Sequence, residues 1–112
     1  MKLAIVVRKD LDMRTGKVAG QVGHASVTAH KFATKDIADK WYMEGQKKIV
    51  LKVVNEQELR EIAKIAIFND LQVWEIRDFG LTQIAPDTLT CISIGPDEDS
   101  KIDKVIKDLK LF

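Results

Sequence analysis

The sequence predicts an α/β fold: a single mixed β-sheet of about four strands with helices packed on both faces. Three observations carry this expectation. Short runs rich in Ile, Val and Leu alternate along the chain with stretches of helical periodicity. The first run, residues 2–7 (KLAIVV), shows little polar alternation, as a strand covered by helices on both sides should. The connection between the last two strands is too short for a helical crossover, so that pair is antiparallel while the strands that precede helices can be parallel.

The elements follow in the order β-α-α-β-α-β-β-α. After the strand at 2–7, residues 8–16 are polar and turn-like. A long helix then runs from Thr15 or Gly16 to about Ala33, with an apolar stripe of Val18, Val22, Ala25, Ala29, Phe32 and Ala33. Thr34 is placed to cap a second helix over 35–43, ended by Gly45. Residues 47–54 (KKIVLKVV) read as a strand. Asn55 with Glu58 forms a capping pattern that opens a helix with apolar positions Leu59, Ile62, Ala63, Ala66 and Ile67. Asn69 and Asp70 make the turn out. Residues 72–77 alternate, with Val73 facing one way and Trp74 and Ile76 the other. A long connection, 78–87, leads to a β-branched strand at 88–94, closed by Gly95-Pro96. Ser100 with Asp103 is placed to cap a last helix whose face is Ile102, Val105, Ile106 and Leu109. No repeat or linker divides the chain, so residues 1–112 are expected to form a single domain.

Composition narrows the class. With 46% hydrophobic and 31% charged residues the chain is neither disordered nor membrane-spanning, and no apolar run approaches the ~18 residues of a span. The apolar start at 3–7 is short and gives way to Arg8-Lys9-Asp10 without a cleavage site, which predicts no targeting segment and a cytoplasmic location. A lone cysteine, Cys91, excludes an internal disulfide and a cysteine zinc site. Two histidines, His24 and His30, do not fill a zinc shell, so no metal and no cofactor is expected. The net charge of +1 conceals an asymmetry: residues 1–52 hold 11 Lys/Arg and 5 Asp/Glu, whereas 53–112 hold 7 and 12. This fits a positive face for a polyanion, and equally fits halves that attract each other or a second copy.

Two motifs are decoys. Asp78-Phe79-Gly80 spells a kinase magnesium motif without any other kinase part. GKVAGQVG at 16–23 fits neither dinucleotide-binding nor P-loop spacing. The first helix says more. Gly20 and Gly23 lie inside it, at about 1 kcal/mol each relative to Ala, and close packing against a neighbouring backbone is the expected reason. Lys17, Gln21, His24 and Thr28 fall within about 60° of one another on the helix wheel. Lys17 sits in the first turn, where the dipole disfavours a cation but where an anion would meet free N–H groups and an ammonium together. His24 is read either as a hydrogen-bonded structural residue or as a base. The second constellation is DFGLTQ at 78–83: an acid directly after a strand, then Gly, Thr and Gln, either a functional loop or a plain turn. Trp41, Trp74 and Phe79 are candidates for stacking on bases or for the core.

These residues together resemble the archaeal and eukaryotic-type (type 2) peptidyl-tRNA hydrolases. The likeness covers nearly the whole chain: VVRKDLDMRTGKVAGQVGHA at 6–25, Trp41 and the Gly45 turn into KKIVLKV, IRDFGLTQIAPDTLTCISIGP at 76–96, and IDKVIKDLKLF at 102–112. Phe79 stands where the family commonly has a small residue, Asp87 where Gly is common, and Gly20 where Ala is frequent. The resemblance implies hydrolysis of the ester joining a peptide to the terminal ribose of tRNA, with Lys17, Asp78 and Thr82 as catalytic residues. It places Gln21 and His24 in the same signature helix, lining the site, and makes a homodimer plausible. Arg8, Arg14 and Gln83, with Lys31, Lys47 and Lys48, are expected to contact the substrate, mainly its phosphate backbone. The competing readings are a non-catalytic tRNA-binding or RNA-binding adaptor and a protein-interaction module; the joint presence of Lys17, Asp78 and Thr82 favours the enzyme.

Overall fold

The apolar N-terminal run forms the centre of the sheet. In the computed structural model, which describes residues 1–80 and 84–112, strand β1 (Lys2–Arg8) has Leu3 through Val7 each at 0% exposure, as a strand covered on both faces requires. The other elements are α1 (Thr15–Phe32), α2 (Lys35–Met43), β2 (Lys48–Val53), α3 (Glu56–Phe68), β3 (Val73–Arg77), β4 (Leu89–Asp97), α4 (Asp99–Ile106) and β5 (Lys110–Leu111). The strand order is β3-β4-β1-β2-β5. β1 and β2 are parallel; β4 runs antiparallel to both β1 and β3, and β5 antiparallel to β2. Strands β1, β2 and β3 therefore point the same way, and their carboxyl ends share one edge.

Helices α1 and α2 cover one face, where Ala25, Ala29 and Trp41 pack on Leu3, Ile5, Val7, Ile76 and Cys91. Helices α3 and α4 cover the other, where Leu59, Ala66, Ile102, Val105 and Ile106 pack on Ala4, Val6, Leu51, Ile92 and Ile94. Leu59 and Ile102 are both at 0% exposure, and each such burial contributes about 1.5–3 kcal/mol.

Among the described residues the sheet has five strands, in keeping with the expected about four plus one short addition. β5 is a two-residue strand pairing Leu111 with Leu51 and Lys110 with Lys52, too short to leave an alternation in the sequence. β4 continues through Gly95-Pro96 to Asp97 instead of ending there, because the register with β1 shifts between Lys2 and Ala4 and a residue without an N–H is tolerated at such an irregularity. The pair β3–β4 is antiparallel and adjacent.

Caps divide into those that form and those that do not. The Asn55 side chain accepts from the Glu58 N–H at 2.9 Å, and the Glu58 carboxylate accepts from the Val54 N–H at 2.8 Å. Thr34 sits at the N-cap of α2 but its hydroxyl makes no cap bond. α4 begins one residue before Ser100, with Glu98 as its uncapped N-cap residue. Ile67, expected on the apolar face of α3, is 60% exposed, and Phe32 at the end of α1 is 49% exposed, its ring 4.6 Å from that of Trp74.

The close-packing account of Gly20 and Gly23 does not hold. Both are exposed, and a Cβ at either would meet no atom within 4 Å. At 100° per residue they lie about 140–160° around α1 from the buried Val18. Gly20→Ala and Gly23→Ala should each stabilise the protein by about 0.5–1 kcal/mol, since helical backbone entropy is saved and nothing is displaced. A thermal melt showing lower stability in either variant would contradict the open-solvent placement.

Candidate active site at the carboxyl edge of the sheet

The edge where β1, β2 and β3 end is held by ionic bonds. Arg8, the last residue of β1, donates to both Asp10 carboxylate oxygens (3.0 and 2.9 Å), to Glu56 (3.2 Å) and to the Leu89 carbonyl (3.0 Å). It thereby ties β1 to the starts of α3 and β4. Its charge is spent within the fold, which leaves little of it for a substrate phosphate. Arg14, at the N-cap of α1, is exposed instead.

Lys17 lies in the first turn of α1 and Asp78 directly follows β3. Sixty-one positions apart, they meet: the Lys17 ammonium donates to Asp78 Oδ1. Asp78 is 3% exposed. The other carboxylate oxygen accepts from the Gly80 N–H at 3.0 Å. The Asp78 main chain is clamped as well, its N–H donating to Thr88 O (2.9 Å) and its carbonyl accepting from Asp87 N–H (2.6 Å). A carboxylate withdrawn this far from water needs such partners.

The loop geometry matches the residues that make it. Gly80 has φ +85°, and a Cβ there would lie 2.7 Å from the Pro86 ring. Asp87 has φ +62°, the left-handed region in which glycine is at ease, and this Asp adopts it to close the base of the loop. Phe79 is 91% exposed, so its bulk costs no packing. Thr82 and Gln83 lie outside the described residues.

Gln21, one turn beyond Lys17, is not a surface group. It is 3% exposed and donates to Thr90 Oγ1 at 2.6 Å, while the Thr90 hydroxyl donates to the Ile76 carbonyl at 3.0 Å. The register of β3 on β4 shifts between Ile76 and Arg77, which pair with Cys91 and Leu89. Thr90 is the extra residue of this bulge, which leaves its side chain to bond the α1 helix. Sequence reading missed Thr90; a hydroxyl inside a largely apolar strand, shared with Ser93, was its only signal. His24, a further turn along α1, is exposed. Cys91 is at 0% exposure and burial pushes its thiol up to about 12, so it is no nucleophile at neutral pH. Trp41 is core, at 3% exposure. Among the described residues no group of three His, Cys, Asp or Glu is placed to hold a metal ion.

An ammonium and a carboxylate fixed side by side, at the start of a helix and the end of a strand, can polarise a water and stabilise an oxyanion in one place. The family model for peptidyl-tRNA hydrolase PTH2 matches residues 1–112. The chain belongs to this family. It is 46% identical over 118 residues to a peptidyl-tRNA hydrolase of Thermoplasma acidophilum, covering 99% of this chain and 97% of that one. It is 48% identical over 115 residues to one of Nanoarchaeum equitans, covering 100% and 99%. A Methanococcus maripaludis relative of the same name is 50% identical over 112 residues, with 97% of each chain covered.

Gly80→Ala should cost about 1–3 kcal/mol, read as a lowered urea midpoint, because the substitution meets both a left-handed backbone and Pro86. The Arg8 guanidinium holds the Asp10 carboxyl below its ordinary value of 3.8. A depressed folded-state value stabilises above the unfolded value and the benefit vanishes as pH falls through the folded one. The stability gap between wild type and Asp10→Asn should thus be present well above that ordinary value and shrink as the pH falls below it; a gap that stays constant across that range would refute the linkage.

Proposed function

We propose that this chain hydrolyses the ester between a peptide and the terminal ribose of tRNA, releasing free peptide and free tRNA, with the Lys17–Asp78 pair at the reacting centre. The observation that carries the reading is the convergence of these two groups in a chain that belongs throughout its length to the peptidyl-tRNA hydrolase PTH2 family. Water adds to the ester carbonyl carbon, a tetrahedral oxyanion forms, and the ribose oxygen departs with a proton. Asp78 orients and activates the water and holds Lys17 in position. Lys17 stabilises the negative charge that develops on the carbonyl oxygen. Thr82, by its place in the family motif, positions water or substrate. Gln21 acts through Thr90, fixing α1 against β4 so that Lys17 keeps its place.

Near this centre Arg14 and His24 offer donors on the surface, Lys31 and Lys48 offer positive charge further along the molecule, and Gln83 stands beside Thr82 in the family motif. Lys47 is shared with Asp99 at 2.5 Å. Contacts of this kind go to phosphates and fall off steeply with salt. The work is that of one domain in the cytoplasm, where translation supplies the substrate, and a homodimer is its proposed assembly. No helix among the described residues is long and apolar enough to cross a membrane.

Incubation with a labelled N-blocked aminoacyl-tRNA tests the proposal. Wild type should deacylate it, and Lys17→Ala and Asp78→Ala should each lower turnover by at least about 100-fold. Circular dichroism must show both variants folded. Undiminished turnover in both would remove the site assignment, and absence of turnover in wild type would remove the function.

A further inference from the structure

Several lysines of the basic half are neutralised by the acidic half. Lys2 pairs with Asp103 (2.6 Å), Lys40 with Glu98 (3.1 Å) and Lys47 with Asp99 (2.5 Å). Lys31 and Lys48 form no ion pair among the described residues, and both border one groove of about 270 Å³ between α1, α2 and the start of β2. No carboxylate lines it. Its wall is aromatic: the His30 ring lies 6.1 Å from that of Trp41 and 5.9 Å from that of Tyr42, and Lys48 Nζ sits 5.1 Å from the centre of the Trp41 ring. Trp41 is buried beneath, whereas Tyr42 is 53% exposed. The larger groove of about 370 Å³ mixes Lys9, Lys52 and Lys110 with Glu58 and Asp108, so its field is partly cancelled.

We infer that the α1–α2 groove is a second RNA subsite, in which a base stacks on Tyr42 while Lys31 and Lys48 hold the flanking phosphates. Cations without an acidic partner, in one groove with an exposed ring, are the chemistry of a polynucleotide strand. Placement agrees. His30 is thirteen residues beyond Lys17 on the same helix, about 20 Å along its axis. Two nucleotides at a stacked rise of ~3.4 Å do not span that distance, so only nucleotides further along the strand than the terminal pair would meet the subsite. The inference rests on the proposed function for its ligand and adds a point of purchase that a short substrate does not reach.

The test compares two substrates carrying the same N-acetyl-aminoacyl ester, one on full-length tRNA and one on the dinucleotide cytidylyl-adenosine. Equilibrium binding of deacylated tRNA by fluorescence anisotropy runs beside it. Tyr42→Ala should raise KM for the full-length substrate by about tenfold more than for the dinucleotide, with kcat little changed, and should weaken tRNA binding by a similar factor. Tyr42→Phe, which keeps the ring, should restore both. Lys31→Gln and Lys48→Gln should each reduce the slope of log affinity against log salt by about one. Equal KM changes on the two substrates, unaltered tRNA binding, or a Tyr42→Ala effect confined to oligomeric mass would overturn the subsite; the last would make the groove an interface between copies. If wild type cleaves neither substrate the proposed function fails, and tRNA binding alone then decides the groove.

Discussion

A carboxylate at 3% exposure joined to an ammonium sets the terms for this structure. Taking two charges out of water is costly, and attraction between them offsets that cost only where the geometry is tight and the remaining lone pairs are bonded. Here both conditions are met by backbone. The Gly80 N–H serves the second carboxylate oxygen, and the Asp78 main chain is clamped between residues 87 and 88. The pair exists only while α1 begins, and β3 ends, at the same edge of the sheet. Everything that fixes that edge therefore also fixes the pair.

Two features fix it. Arg8 bridges the end of β1 to the starts of β4 and α3 through Leu89 and Glu56. The bulge at Thr90 lets β4 present a hydroxyl to Gln21, four residues past Lys17. A buried amide without that hydroxyl would lose its bond and α1 its anchor beside the site. The opposite side of α1 is bare: Gly20 and Gly23 face open space. One helix thus carries a packed stripe, a polar strut, the ammonium, an uncovered small-residue face and, at its far end, His30 of the aromatic groove.

The charge asymmetry resolves in the same terms. The basic first half and acidic second half bind each other through Lys2–Asp103, Arg8–Glu56, Lys17–Asp78, Lys40–Glu98 and Lys47–Asp99. Several of these pairs are exposed and individually weak. Their larger effect is to decide which cations are left over for a polyanion, and composition gives no hint of which those are.

Periodicity, with cap and turn residues marking the boundaries, determined the α/β class, the order of the first eight elements and most of each apolar face, since these follow from which residues avoid water at spacings of two or 3.6. The motif residues Lys17 and Asp78 were legible by type and by position at element ends, and the Asn55 cap by its local pattern. Less local features were not. β5 is two residues long, Thr90 owes its role to a register shift, Gly20 and Gly23 looked like packing positions and are bare, and Gln21, expected to line the site, is buried with its amide bonded to Thr90. These depend on what stands opposite in space. Only the folded sheet brings residues sixty or seventy positions apart within reach, and a hydrogen bond or an ion pair is decided over about 3 Å of space rather than along the chain.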